Sequence, residues 1–175
     1  MQNSREEFKQ RLIRFIKEHE GIGLHNVKGD KGGLTNTGIT LSTFKSYGTD
    51  KNQDGKIDEK DLAKLNNTDW ENIFTKNFWD KVGGDKIKDE RILGQLVDWT
   101  WMSGGNAIKK ARKALGLPES LIVDNQMIDI INNNPEDSLN KIKQARLNHY
   151  TSIVEHNPSQ SKFLKGWVKR VNDLV

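Results

Sequence analysis

Glu20 stands between His19 and Gly21, where a run of helical spacing gives out and a glycine-rich stretch begins. A carboxylate at a helix C-terminus faces the negative end of the macrodipole, which disfavours its ionised form. Partial burial acts in the same direction. A carboxyl that keeps its proton near neutrality is what general acid catalysis requires. Downstream, Gly29-Asp30-Lys31-Gly32-Gly33-Leu34-Thr35-Asn36-Thr37-Gly38-Ile39-Thr40 offers a second carboxylate and several hydroxyls. Each of these has a structural alternative. Glu20 could cap a turn, Asp30 beside glycines is an ordinary turn residue, and Thr35 could satisfy backbone groups. His19 is expected to be a packed neighbour rather than a proton carrier.

A second constellation lies in residues 50–61. Asp50, Asn52, Asp54, Asp58 and Asp61 fall at positions 1, 3, 5, 9 and 12 of an EF-hand-like loop, with Gly55 at 6 and Ile57 at 8. Calcium takes six to eight hard oxygens, the glycine permits the sharp turn, and the Lys56 carbonyl at position 7 would supply a further ligand. Position 12 is one methylene shorter than the usual bidentate Glu. The expectation is a structural calcium staple; the alternative is a solvated acidic turn. A calcium sensor is disfavoured, because a single loop has no partner hand.

The elements that must position these groups are helical. Phe8, Leu12, Phe15, Ile16 and His19 recur at helical spacing after a Ser4/Glu7 capping box, predicting a helix over about 5–18. Thr40 reads as the N-cap of a helix ending before Gly48. Thr68 and Glu71 suggest a second capping box before Trp70, Phe74 and Phe78, which are expected in the core. A helix through Ile92–Thr100 ends at Ser103-Gly104-Gly105, and another runs from Ile108 to Leu115 before Gly116 and Pro118. Asp124 caps a helix to Asn133, and Pro135 opens one reaching about His156. Phe163, Leu164, Trp167, Val168 and Val171 mark a C-terminal amphipathic helix. No segment alternates with period two for long. The expectation is an all-α fold with a short irregular hairpin between residues 21 and 39.

Composition bounds the rest. The chain has 175 residues, 28 Lys+Arg against 24 Asp+Glu, a net charge of +4 and no Cys. Its mean hydropathy is −0.78. The absence of cysteine excludes disulfides, thiolate zinc sites and a cysteine nucleophile. Apolar runs are too short to span a bilayer, so no membrane insertion is expected. Charges at the N-terminus stand where a signal peptide needs an apolar region. The basic residues are interleaved with acids and form no recognised nucleic-acid motif, so no nucleic-acid partner is expected.

The segment from His19-Glu20-Gly21 to Gly38-Ile39-Thr40 resembles the signature of glycoside hydrolase family 108, which comprises N-acetylmuramidases, some of them phage endolysins and some labelled putative secretion activators. The pattern is H-E-G-G followed by D-P-G-G-x-T-x-x-G-I-T. This chain departs from it at Ile22 and Lys31. The order Glu, then Asp, then Thr is also that of the catalytic set in phage-type lysozymes. Asp98-Trp99-Thr100-Trp101-Met102-Ser103-Gly104, followed by Ala111 to Gly116, resembles the companion region of that family, a peptidoglycan-binding segment. Met102 stands where Asn is expected.

The resemblance implies a lysozyme-like helical domain of about eight helices with a glycine-rich active-site loop. It also implies a catalytic region over 1–88 and a peptidoglycan-binding region over 89–175. By the same resemblance Glu20 protonates the glycosidic oxygen between N-acetylmuramic acid and N-acetylglucosamine. Asp30 stabilises charge at the anomeric carbon or orients water, and Thr35, or in second place Thr37, positions that water. Asn36, Thr37 and Trp101 are candidate substrate contacts, Trp101 as an indole platform for a pyranose face. Trp99 is the alternative platform or a core residue. The implied partner is the peptidoglycan glycan strand, met by a monomer that needs no catalytic cofactor and acts on the wall after release from the cytoplasm. The rival reading is a non-enzymatic wall-binding or secretion-regulating protein.

Overall fold

A computed structural model describes residues 2–20, 23–26 and 34–174. Within them the all-α class predicted from helical spacing is the one observed, with a small sheet where the hairpin was expected. The chain divides into two units, Met1–Asn77 and Phe78–Val175.

The first unit opens with α1 (Gln2–Glu20). Its apolar stripe of Phe8, Leu12, Ile13 and Ile16 is buried. The helix begins before Ser4, so that residue falls in the first turn rather than at the cap. Three short antiparallel strands follow in the order β1 (Leu24–Asn26), β2 (Leu34–Asn36) and β3 (Ile39–Thr40). Asn36 pairs with Ile39, leaving Thr37 and Gly38 as a two-residue hairpin turn. Both have positive φ, 47° and 78°, the type I′ geometry whose twist matches the flanking strands.

Thr40 then caps α2 (Leu41–Tyr47) as predicted, its hydroxyl accepting from Thr43 N at 3.2 Å. The next helix, α3 (Glu59–Ala63), is capped by Asp58. The start of α4 (Asn67–Phe74) differs from the Thr68/Glu71 expectation: the capping box is Asn66 with Asp69, one cap-compatible pair upstream. Ile39, Phe44, Leu62, Trp70, Ile73 and Phe74 bury the centre of this unit.

The second unit is built around α5 (Glu90–Ser103), whose residues from Ile92 to Thr100 are all buried. A helix covered on every side needs neighbours on every side, and polar residues within it need partners. The neighbours are α6 (Gly105–Ala114) and α8 (Pro135–His156), with α7 (Asn125–Asn133) and α9 (Ser161–Asp173) packed on α8. Gly104, at φ 60°, turns the chain sharply from α5 into α6, as the Ser103-Gly104-Gly105 stop predicted. Asp124 and Pro135 open α7 and α8 as predicted. No described helix is long and apolar enough to cross a membrane.

Candidate active site

Glu20 is the last residue of α1 and is half-buried. His19 beside it is exposed and packs its ring on Phe15 at 4.2 Å, with Nδ1 2.8 Å from the Phe15 carbonyl, the neighbour role expected of it. Asp30 lies outside the described residues. Thr35 sits at the centre of β2, opposite His25 on one side and Thr40 on the other.

The turn residue Thr37 is held by four hydrogen bonds. Its N–H donates to the Gly23 carbonyl at 3.0 Å, and its hydroxyl oxygen accepts from Gly23 N at 3.4 Å. The same hydroxyl donates to Asn36 Oδ1 at 3.0 Å, and its carbonyl accepts the Trp70 indole N–H at 2.9 Å. These four contacts hold a β-branched residue in left-handed backbone, which costs about 1–2 kcal/mol. They also fix the hairpin tip to Gly23, three residues beyond Glu20.

Asn36 is buried, 8% exposed, and its Nδ2 donates to the Leu62 carbonyl at 2.8 Å. With its Oδ1 holding Thr37, both ends of the amide are engaged within the protein. Its place is therefore beneath the hairpin, joining β2 to the end of α3.

A cleft of about 580 Å³ opens beside this hairpin, walled by Lys17, Glu18, Thr37, Leu65, Asn67 and Trp70. Lys17 extends over the Trp70 ring at 4.4 Å and donates to Asn67 Oδ1 at 3.2 Å. Of the residues singled out in the sequence, Thr37 reaches this wall, whereas Glu20 ends α1 one turn beyond Lys17. The cleft-lining roles of Lys17 and Trp70 were missed. Trp70 reads as core and is indeed 2% exposed, so no sequence signal marks its edge as a wall.

The 50–61 loop has the predicted sharp turn, with Gly55 at φ 85°. Its carboxylates, however, turn inward. Asp50 accepts from Asp54 N at 3.3 Å and Gly55 N at 2.8 Å; Asn52 and Asp54 accept from Asp54 N and Lys56 N. Asp58 is engaged as the α3 cap. Asp61 is fully buried and accepts from Lys51 N at 2.7 Å, Asn52 N at 3.2 Å and Asp58 N at 2.9 Å. The Asp58 N–H, with the Lys51 and Asn52 N–H groups, holds the Asp61 carboxyl below its ordinary value of 3.8 despite burial. Among the described residues no three acidic or histidine side chains form a group that could hold a metal ion. Asp61 itself closes the loop through these three N–H groups, and the calcium staple stays an expectation for residues 50–61.

Residues 13–104 match the family described as Glycosyl hydrolase 108. The chain belongs to that family. A comparison with curated proteins gives no match. Among solved structures, the chain resembles one titled "Structure of Brucella abortus SagA". The TM-score is 0.76 at 23% identity, covering 99% of this chain and 92% of that one. The likeness concerns the fold, and the all-α class expected from the sequence is the one observed.

As a member of glycosyl hydrolase 108 the protein is a glycosidase, and its family segment contains Glu20, the hairpin and the 580 Å³ cleft. The segment ends at residue 104. The motif at 98–104 closes it, and the structure gives Asp98 a specific duty there. Asp98 is fully buried between Arg146 of α8 and Arg170 of α9. Arg170 approaches both carboxylate oxygens, with Nη2 2.7 Å from Oδ1, and Arg146 pairs with Oδ2. Arg146 also donates to Gln95 Oε1 at 2.8 Å and Tyr150 OH at 3.0 Å, while Gln95 donates to the Val171 carbonyl at 2.8 Å. Met102, in the position where Asn was expected, places its sulfur 3.3 Å from Tyr150 OH and 3.5 Å from Arg146 Nη2, so a weak acceptor occupies the acceptor's place. Trp99 is fully buried, a core residue. Trp101 is half-buried, its ring tilted 47° against Phe78 with centroids 4.6 Å apart.

Proposed function

We propose that this glycosyl hydrolase 108 is an N-acetylmuramidase, cleaving the β-1,4 bond between N-acetylmuramic acid and N-acetylglucosamine in peptidoglycan. The observation that carries the reading is the family match over residues 13–104, which contains Glu20 at the end of α1. Glu20 in its protonated form gives its proton to the glycosidic oxygen as the C–O bond breaks. Asp30 faces the positive charge that develops at the anomeric carbon, or takes the proton of the attacking water, which Thr35 orients. A carboxyl separation of roughly 6.5–9.5 Å between the two acids would give inversion, and about 5 Å retention. Thr37 and Trp101 contact the glycan, Thr37 from the cleft wall. Asn36 supports the site through Thr37. The protein acts at the cell wall, beyond the membrane enclosing its site of synthesis.

The test is reducing-sugar release from purified peptidoglycan, with mass spectrometry of the products. Glu20→Gln should keep the wild-type melting temperature and lower the rate by at least about a hundredfold. Asp30→Asn should lower it less. Wild-type rates from Glu20→Gln would overturn the assignment. Wall binding by the wild type without any sugar release would favour the wall-binding alternative.

A further inference from the structure

In the second unit, α6 and α8 present matching stripes to one groove. Lys110, Lys113 and Ala114 stand at i, i+3 and i+4 of α6. Lys141, Gln144, Ala145, Asn148, His149 and Ser152 follow the same helical spacing on α8. The groove between them encloses about 500 Å³. Small alanines on both helices keep its floor open, and long cationic side chains form its rim.

The charge of this groove has one sign. Lys110 and Lys113 are exposed and have no ion pair among the described residues. Lys141 is held at 2.8 Å by Asp137 one turn away on its own helix, and both are exposed. Among the described residues no carboxylate lines the groove. Gln144 donates to Asn148 Oδ1 at 2.8 Å, which fixes two amides along one wall. His149 is half-buried at the floor, against Trp99 and Tyr150. Burial, with the nearby Lys110 charge second, lowers its pKa from the ordinary value of 6.5, so near neutrality it offers an uncharged ring rather than a further cation.

We infer that the α6/α8 groove binds the carboxylate-bearing peptide arms of the wall glycan, with Lys110 and Lys113 as the anion contacts. From Lys141 to Ser152 the wall of α8 is about 16 Å long at 1.5 Å per residue, the span of a peptide of four or five extended residues. That length suits a short peptide ending in a free carboxylate. It is short for a polynucleotide track, which needs regularly repeated phosphate contacts. The partner named here rests on the peptidoglycan reading; the sign of the charge and the dimensions of the groove do not.

The experiment is a pull-down of the full chain by two bead-coupled preparations: intact sacculi, and glycan strands stripped of peptide by an amidase. The wild type should bind intact sacculi about tenfold more tightly than stripped strands, and the difference should shrink with added salt. The double variant Lys110→Glu/Lys113→Glu should lose that preference while releasing sugar from stripped strands at the wild-type rate. Lys110→Gln/Lys113→Gln, which adds no repulsion, should lose most of it at an unchanged melting temperature. Equal binding to both preparations by the wild type, or an undiminished preference in the glutamine variant, would overturn the inference. Displacement of the protein from sacculi by duplex DNA at equal anion concentration would do the same. If no protein releases sugar from either preparation, the muramidase reading fails while the binding preference still judges the groove.

Discussion

The Thr37 carbonyl accepts the Trp70 indole N–H at 2.9 Å, joining a strained hairpin tip to a helix 33 residues away in sequence. The bond crosses the edge of the 580 Å³ cleft that both residues line. It couples two features that separately look incidental. Thr37 is kept at φ 47° where glycine would be easier, and Trp70 is kept at the rim of a cleft although it is almost wholly buried. Backbone strain persists where surrounding contacts over-determine it, and such places concentrate at functional sites.

The first prediction concerns that strain. Thr37→Gly relieves about 1–2 kcal/mol of left-handed cost. It also removes the hydroxyl that bridges Gly23 N and Asn36 Oδ1. A hydrogen bond contributes about 1 kcal/mol net, so the two effects nearly cancel. The melting temperature should therefore change little. Sugar release should fall about tenfold, through kcat more than KM, because the hairpin is no longer pinned beside the end of α1. Thr37→Ser, which keeps the hydroxyl, should retain most of the rate. Full activity in the glycine variant would show that the clamp serves the fold alone.

Local signals in this chain were legible, and distant pairings were not. Thr40, Asp124 and Pro135 open their helices as the sequence suggests, because a cap is satisfied within three residues of itself. The family resemblance names Asn36 as a substrate contact; the carbonyl to which its amide donates, that of Leu62, is 26 residues away and no local pattern marks it. Asp98 reads as part of a wall-binding motif, yet its partners Arg146 and Arg170 lie 48 and 72 residues downstream. The 50–61 loop shows the same limit at short range. Oxygen spacing identifies a turn that could meet a cation, but not that Asp61 accepts three backbone N–H groups and so closes the loop.

A second prediction follows from the buried Asp98. Its carboxylate balances two buried guanidinium groups, and Arg146 has no exposed surface from which to recruit water. Removing one partner of such a group costs about 3–5 kcal/mol, because the remaining charges stay buried without compensation. Asp98→Asn should lower denaturant-measured stability by that order, and Arg170→Met should cost less, since Arg146 still neutralises the carboxylate. Met102→Asn should be tolerated or stabilising, because it offers Tyr150 and Arg146 a stronger acceptor. A near-neutral Asp98→Asn would mean that the two arginines find other partners.

The last prediction sets a pH window. Backbone N–H donors lower the Asp61 carboxyl below 3.8 in the folded protein, so the unfolded chain binds its proton at a higher pH than the native one. Stability from this group is then fully present above the ordinary value and is lost as pH falls through the lowered folded value. Asp61→Asn keeps one acceptor oxygen but lacks the charge and the second acceptor. It should lower the melting temperature by several degrees at pH 7, and the gap to wild type should close as the pH falls below the ordinary carboxylate range. Thermal melts of both proteins across pH 2–7 make the comparison. A gap independent of pH would assign the loss to packing rather than to the carboxylate. Millimolar calcium addresses the loop directly, since the Asp61 carboxylate keeps acceptor capacity beside its three N–H bonds: an unchanged wild-type melting temperature would leave Asp61 as the loop's own closure. A rise of several degrees would show that the cation competes successfully for those oxygens.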